Sequence, residues 1–260
     1  MEYQPLAPLK KGEIIGGFVY LPMYLIGTQL LVTIAVTINL LLQQPGQALA
    51  LDESALLFQV NLWYNLVNLL TVGTIFCRFL WGQRRSFRIS AGRVIGAIAI
   101  GYAIIFAGNI LISLTEGLLS STPDEIVNGN QELAERMVLD NPLLGAVMVV
   151  LCAPIVEECL FRGLIFGLIH RKSRVLAYAV SMTAFSAMHV YQYALLGQPL
   201  LSTVVSFLTY LPMGFALAWV FDRCRSIWAS IALHIFNNAV ALGLILLMQQ
   251  LSALAQQLGV

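Results

Sequence analysis

The sequence predicts an all-α polytopic membrane protein with about seven transmembrane helices, eight at most. Three observations carry that prediction. Apolar residues make up 59% of the 260 residues and charged residues only 10%, against roughly 45–50% and roughly 25% in soluble domains. Apolar runs long enough to cross a bilayer, which takes about 20 residues each, recur along the whole chain. The basic residues fall almost entirely on one side of a seven-span arrangement. Such a composition excludes an ordinary cytosolic enzyme, a disordered chain and a nucleic-acid binder with a basic face. With a net charge of +1, no long-range field points to a polyanionic partner.

The runs that qualify are approximately 14–42, 55–80, 94–118, 142–169, 175–195, 200–221 and 227–249. The first is too long for a cleavable signal peptide and lacks a small-residue cleavage site. Residues 250–260 are amphipathic, suited to extending the last helix or lying on the surface. No internal repeat, low-complexity segment or soluble domain is visible. Two regions are expected: three N-terminal spans and an outer loop over 1–141, and a catalytic core over 142–260 built from the last four helices. Cys77, Cys152, Cys159 and Cys224 lie in or beside apolar runs without metal-type spacing, so they read as reduced packing residues.

Orientation follows from lysine and arginine placement. Lys10 and Lys11, then Arg78, Arg84, Arg85, Arg88 and Arg93, then Arg171, Lys172 and Arg174, then Arg223 and Arg225 share one side. Arg136 stands alone on the other, in a loop with Asp124, Glu125, Glu132, Glu135 and Asp140, while Arg162 lies inside a span. The N-terminus is therefore expected in the cytoplasm, with a multi-pass chain in the cell membrane. Seven spans would put the C-terminus outside.

Charge inside the bilayer is costly and marks functional candidates. The fourth span carries Glu157, Glu158 and Arg162. Arg162 is four residues beyond Glu158 and so on its face. A buried ion pair would account for those two and leave Glu157 without a partner. Two of the three histidines are also mid-span: His189 four residues after Phe185, and His234 four residues before Asn238. His170, in the basic loop, reads as a loop residue. At about 1.5 Å per residue, Glu157 lies about 18 Å from the cytoplasmic end of its helix, His189 about 21 Å, Asn238 about 16 Å and His234 about 10 Å. These four side chains from three helices occupy one layer and can converge on one cavity.

Glu157-Glu158-x-x-x-Arg162, Phe185-x-x-x-His189 and His234-x-x-x-Asn238, in that order, resemble the CPBP (Abi) family of CAAX prenyl endopeptidases and bacteriocin-processing proteins over roughly 142–240. The resemblance implies an intramembrane glutamate-type endopeptidase, a hydrolase. In it Glu157 and His189 activate a water, His234 and Asn238 form the oxyanion hole, and Glu158 and Arg162 are the supporting pair beside Phe185. The chemistry is coherent in its own right. Amide hydrolysis needs a base within hydrogen-bond reach of the water and preorganised donors for the oxyanion.

Other readings stay open on the residues alone. Glu157, His189 and His234 form a His₂Glu set of the kind that holds catalytic zinc. However, no His-Glu-x-x-His helix is present, and Asn238 suits an oxyanion donor better than a zinc ligand. No cofactor is therefore expected, zinc being the alternative. A non-catalytic scaffold or bacteriocin-immunity protein would have no need of an unpaired Glu157. A proton-coupled transporter would show repeated halves with broken helices. The expected partners are the lipid bilayer and a membrane-associated peptide or protein substrate, with no nucleic acid. Short loops and small size suit a bacterial or archaeal chain and a pheromone, bacteriocin or other membrane-peptide precursor. The ending Leu258-Gly259-Val260 carries no CAAX cysteine. Gly163-x-x-x-Gly167 would allow close approach of a neighbouring helix.

Overall fold

The computed structural model describes residues 8–43, 53–83, 91–119 and 128–258. Every element in it is helical: α1 Lys11–Gln43, α2 Glu53–Ile75, α3 Cys77–Gln83, α4 Ala91–Leu119, α5 Gly129–Asp140, α6 Pro142–His170, α7 Arg174–Leu195, α8 Leu200–Cys224 and α9 Ile227–Leu258. Within the described residues, α1, α2, α4, α6, α8 and α9 are long and apolar enough to cross a membrane. The chain is thus a polytopic membrane protein. The expected span at 175–195 forms a full helix of 22 residues. Its Ser181, Thr183, Ser186, His189 and Gln192 leave it less apolar than the other six.

Helix ends follow local chemistry. Asn128 caps α5 by accepting from the Gln131 amide at 3.2 Å, and Asn141 caps α6 by accepting from Leu144 at 3.1 Å, with Pro142 at the first turn. Ser173 does the same for α7 through the Leu176 amide. Arg225, left-handed at φ 52°, reverses the chain so that α9 starts two residues later. The tail 250–258 extends α9 to Leu258.

Three features depart from the expected spans. The run 55–80 is two helices, because Glu13 of α1 reaches across: its carboxylate accepts from the Phe79 amide and from the Lys10 amide, both at 2.7 Å. A buried carboxylate thereby caps α3 from a distant part of the chain. The acidic stretch read as an outer loop contains α5, an amphipathic helix packed back onto the bundle. Gly145 permits that packing, since a Cβ there would lie 2.4 Å from the Met137 carbonyl oxygen. Finally, α6 is not uniformly α-helical. It widens into π-helical turns at Val147–Cys152 and Cys159–Phe166, on either side of Ala153–Glu158. Pro154 has no N–H for the carbonyl of Val150, and a widened turn just before it relieves that conflict. Arg84, Arg85, Arg88, Asp124, Glu125, Gly259 and Val260 lie outside the described residues.

The core surrounds α6, where Glu158, Cys159, Leu160, Arg162, Leu164 and Phe166 are all fully buried. α7 and α8 pack tightly together. A Cβ at Gly214 would lie 3.0 Å from the Met182 Cα. Of the Gly163/Gly167 pair, only Gly163 faces a neighbouring helix, with Phe79 3.1 Å from where its Cβ would stand. The four cysteines are free, three of them buried. His170 ends α6 rather than lying in a loop; it stacks on Phe166 and places Nε2 3.1 Å from Asp222. Asp222 also pairs with Arg174 at 2.7 Å and Arg225 at 3.1 Å. One buried carboxylate thus gathers the ends of α6, α7 and α8.

Candidate active site

Glu157 and Glu158 sit at the end of the α-helical stretch between the two widened turns of α6, and neighbouring side chains on a helix point in different directions. Glu158 points into the packed core. Its Oε1 accepts from Arg162 Nη1 at 2.9 Å and lies 2.9 Å from His234 Nδ1; its Oε2 accepts from the Ser230 hydroxyl. Arg162 donates from Nη2 to the Gly214 carbonyl at 3.0 Å, and its guanidinium carbon lies 4.4 Å from the centre of the Phe185 ring. Both members of the ion pair have no exposed surface. A buried pair of this kind is tolerable because almost every polar atom has a partner.

Glu157 points the other way, into a cavity of about 1020 Å³ walled by α1, α2 and α4–α9. Its Oε2 is buried and has no hydrogen-bond partner. Two imidazoles face that oxygen: His189 Nε2 at 3.7 Å and His234 Nε2 at 3.8 Å. Each ring is oriented by its other nitrogen. His189 Nδ1 lies 2.8 Å from the Phe185 carbonyl oxygen, which can only accept, so Nδ1 carries the proton and Nε2 presents a lone pair. His234 Nδ1 is held by Glu158. Phe185 lies between the rings, 4.5 Å from His189 and edge-on to His234 at 5.9 Å, which gives its place in the pattern a physical reason.

The structure therefore brings Glu157, His189 and His234 together, with Glu158, Arg162 and Phe185 behind them. Asn238 lines the same cavity, with one amide hydrogen committed to the Val149 carbonyl at 2.9 Å. Separations of 3.7–3.8 Å are too long for direct hydrogen bonds and suit one small guest shared among three polar atoms. Among the described residues, no group of three His, Cys, Asp or Glu side chains is placed to hold a metal ion.

Sequence reasoning passed over several contributors. Ser230 completes the Glu158 shell and also reaches the Leu217 carbonyl. Tyr210 stacks on His189 with ring centres 4.1 Å apart, and its hydroxyl is held by Asn130 and Asn128 at the start of α5. Ser230 lies four residues before His234, so the His234 face was one turn longer than the motif.

Residues 139–240 match the family model described as Rce1-like, type II CAAX prenyl endopeptidase. That segment is similar to the Rce1-like family. It contains every side chain placed around Glu157 above apart from the α5 start, and leaves α1–α4 unmatched. Among curated relatives, the Bacillus subtilis (strain 168) protein named "Putative membrane peptidase YdiL" is 25% identical over 147 residues, 54% of this chain and 55% of its own length. The UPF0177 protein YaiH of Lactococcus lactis subsp. lactis (strain IL1403) is 30% identical over 113 residues, 44% of this chain and 42% of its own. The chain spans about half the length of the curated relatives it matches. No solved structure matches it.

Proposed function

We propose that the chain is an intramembrane endopeptidase that hydrolyses a peptide bond of a membrane-associated peptide or protein, without a metal. The observation that carries this reading is the buried, unpartnered Glu157 Oε2 facing two imidazole nitrogens across a cavity. A structural carboxylate would be paired, as Glu158 is; an unpaired one inside a bilayer is kept for chemistry.

In this reading a water occupies the space between Glu157 Oε2 and His189 Nε2. Glu157 takes a proton from it as the oxygen attacks the carbonyl carbon. The proton is then delivered to the leaving nitrogen as the C–N bond breaks. Asn238 has a second amide hydrogen beyond the one given to Val149, and that hydrogen serves the oxyanion. His234 donates from Nε2 only when its ring carries both protons, because its Nδ1 proton is already given to the Glu158 carboxylate. Glu158, Arg162 and Phe185 hold His234 and His189 in register. The catalytic core is then 142–260, with α1, α2 and α4 completing the cavity wall.

We further assign seven spans, α7 included, because its polar residues face partners rather than lipid: Ser181 donates to Phe161 and His189 stacks on Tyr210. The N-terminus and the His170–Arg174 and Arg223–Arg225 turns are cytoplasmic by the basic-residue bias. The test is a quantitative comparison of membrane peptides in cells carrying the wild type and Glu157→Ala. One or more intact precursors should accumulate in the variant. Identical peptide profiles would remove the peptidase reading in favour of a scaffold.

A further inference from the structure

The helices outside the family match contribute an unusual wall to the cavity. Asn61, Asn65 and Asn68 lie on one face of α2 at spacings of four and three residues, and all three line the cavity with Asn109 of α4 and Asn237 and Asn238 of α9. Asparagine side chains in a membrane helix most often join helices. These do so only in part. Asn61 and Asn65 donate to the carbonyls of Leu57 and Asn61 within α2 itself, each at 2.9 Å. Asn68 accepts from the Tyr20 hydroxyl, yet its Nδ2 is buried without a hydrogen-bond partner, and so is Asn109 Oδ1. Asn68 is 1% exposed. A buried amide left unsatisfied on a cavity wall costs stability, so it points to a guest.

The chemistry of that guest can be read from the wall. Among the described residues of the membrane-spanning helices, Glu157 is the one formally charged side chain lining the cavity; Glu132, Glu135 and Arg136 belong to α5. The wall therefore offers neutral donors and acceptors of the same kind as a peptide group. Their spacing also fits. Four residues of helix rise about 6 Å, while an extended chain turns the same side outward every two residues, roughly 6.7 Å apart. Asn61 and Asn65 can thus meet successive same-facing peptide groups of one extended strand.

We infer that the asparagine face of α2, together with Asn109 of α4, binds an uncharged peptide segment in extended form through its backbone, presenting it to Glu157. This deepens the peptidase reading and rests on it for the fate of the peptide, but not for its binding. Selection by backbone makes the site tolerant of side-chain sequence and intolerant of folded or helical segments, whose peptide groups are already paired.

The test is binding, not turnover. A fluorescently labelled hexapeptide of alternating leucine and alanine is titrated against wild-type and Glu157→Gln protein in lipid nanodiscs, alongside the same hexapeptide N-methylated at every second amide. The parent peptide should bind both proteins, and the N-methylated one about tenfold more weakly, two or more lost hydrogen bonds being worth about that factor. Asn65→Leu and Asn109→Leu should each weaken the parent about three- to tenfold. These two positions avoid the Tyr20 bond that Asn68→Leu would break. If apolar burial drove binding, the added leucines would strengthen it, which overturns the inference. Equal affinity for both peptides, or no binding of the parent, also overturns it. Cleavage plays no part in the readout. Identical membrane-peptide profiles in cells with and without Glu157 would sink the peptidase reading and leave the backbone site standing.

Discussion

Replacing Glu158 by glutamine removes one charge from a pair that has no exposed surface. Arg162 then loses its counter-charge and keeps only neutral partners: the Gly214 carbonyl, the Phe185 ring and the glutamine amide oxygen. Removing one partner of a buried pair typically costs about 3–5 kcal/mol. For a chain of this size that corresponds to a fall in Tm of about 6–20 °C, taking about 2–4 °C per kcal/mol. The double substitution Glu158→Leu with Arg162→Leu removes both charges together, and most of the lost Tm should return, because swapping an ion pair for apolar side chains is close to neutral. The return is incomplete, since His234 Nδ1 loses its acceptor and the Gly214 carbonyl its donor, at about 1–3 kcal/mol for each buried group left unsatisfied; Ser230 keeps the Leu217 carbonyl. Activity should not return at all, because nothing then holds the His234 ring toward Glu157. The assay is thermal unfolding in detergent alongside peptide hydrolysis in proteoliposomes. A single variant as stable as wild type would refute the ion-pair reading. A double variant that regains activity together with stability would show that Glu158 is only a counter-ion.

Other expectations follow from the same geometry. Asn238→Ala should keep its thermal stability within about 1–3 kcal/mol, the cost of the unpaired Val149 carbonyl, and lose roughly 10²–10³ in turnover as an oxyanion donor; unchanged turnover would remove it from that role. Treatment with a strong chelator should leave hydrolysis intact, and elemental analysis of active protein should find no stoichiometric zinc; about one zinc per chain lost together with activity would transfer the chemistry to the His₂Glu alternative. In a background with Cys77 replaced by serine, a thiol reagent applied outside intact cells should label a cysteine at Asp140 and miss one at Lys172; the reverse pattern would invert the topology.

What could be read in the sequence follows from where the physics is local. Membrane helices announce themselves because the bilayer imposes a length of apolar chain, so α1, α2, α4, α6, α8 and α9 are visible, and α7 too as the run 175–195, although it is less apolar than the rest. Glu158 and Arg162 were visible as a pair because helical spacing puts them on one face. The break at Phe76 was not, since its cause is Glu13, 66 residues away from the amide of Phe79 that it caps. The α5 helix was hidden by its charges, which look like a loop until Asn128 and the packing at Gly145 are placed. His234 and Asn238 share a helix face by spacing, but the anchor of the His234 ring is Glu158, a contact between two helices that no spacing encodes. The asparagines of α2 recur at helical spacings of four and three residues, but neutral amides carry no charge to mark them as costly inside a bilayer.

The central claim is that Glu157 is the base that activates water. Its most direct test is the hydrolysis rate of wild type and Glu157→Gln in proteoliposomes, on a precursor recovered from the Glu157→Ala comparison, with Tm measured on both proteins. Glutamine keeps the shape and removes the basic oxygen. The rate should fall by roughly 10²–10⁴-fold, the usual contribution of a positioned base, while Tm stays level or rises because a buried, unpartnered carboxylate is gone. Full activity in Glu157→Gln at undiminished stability would contradict the assignment.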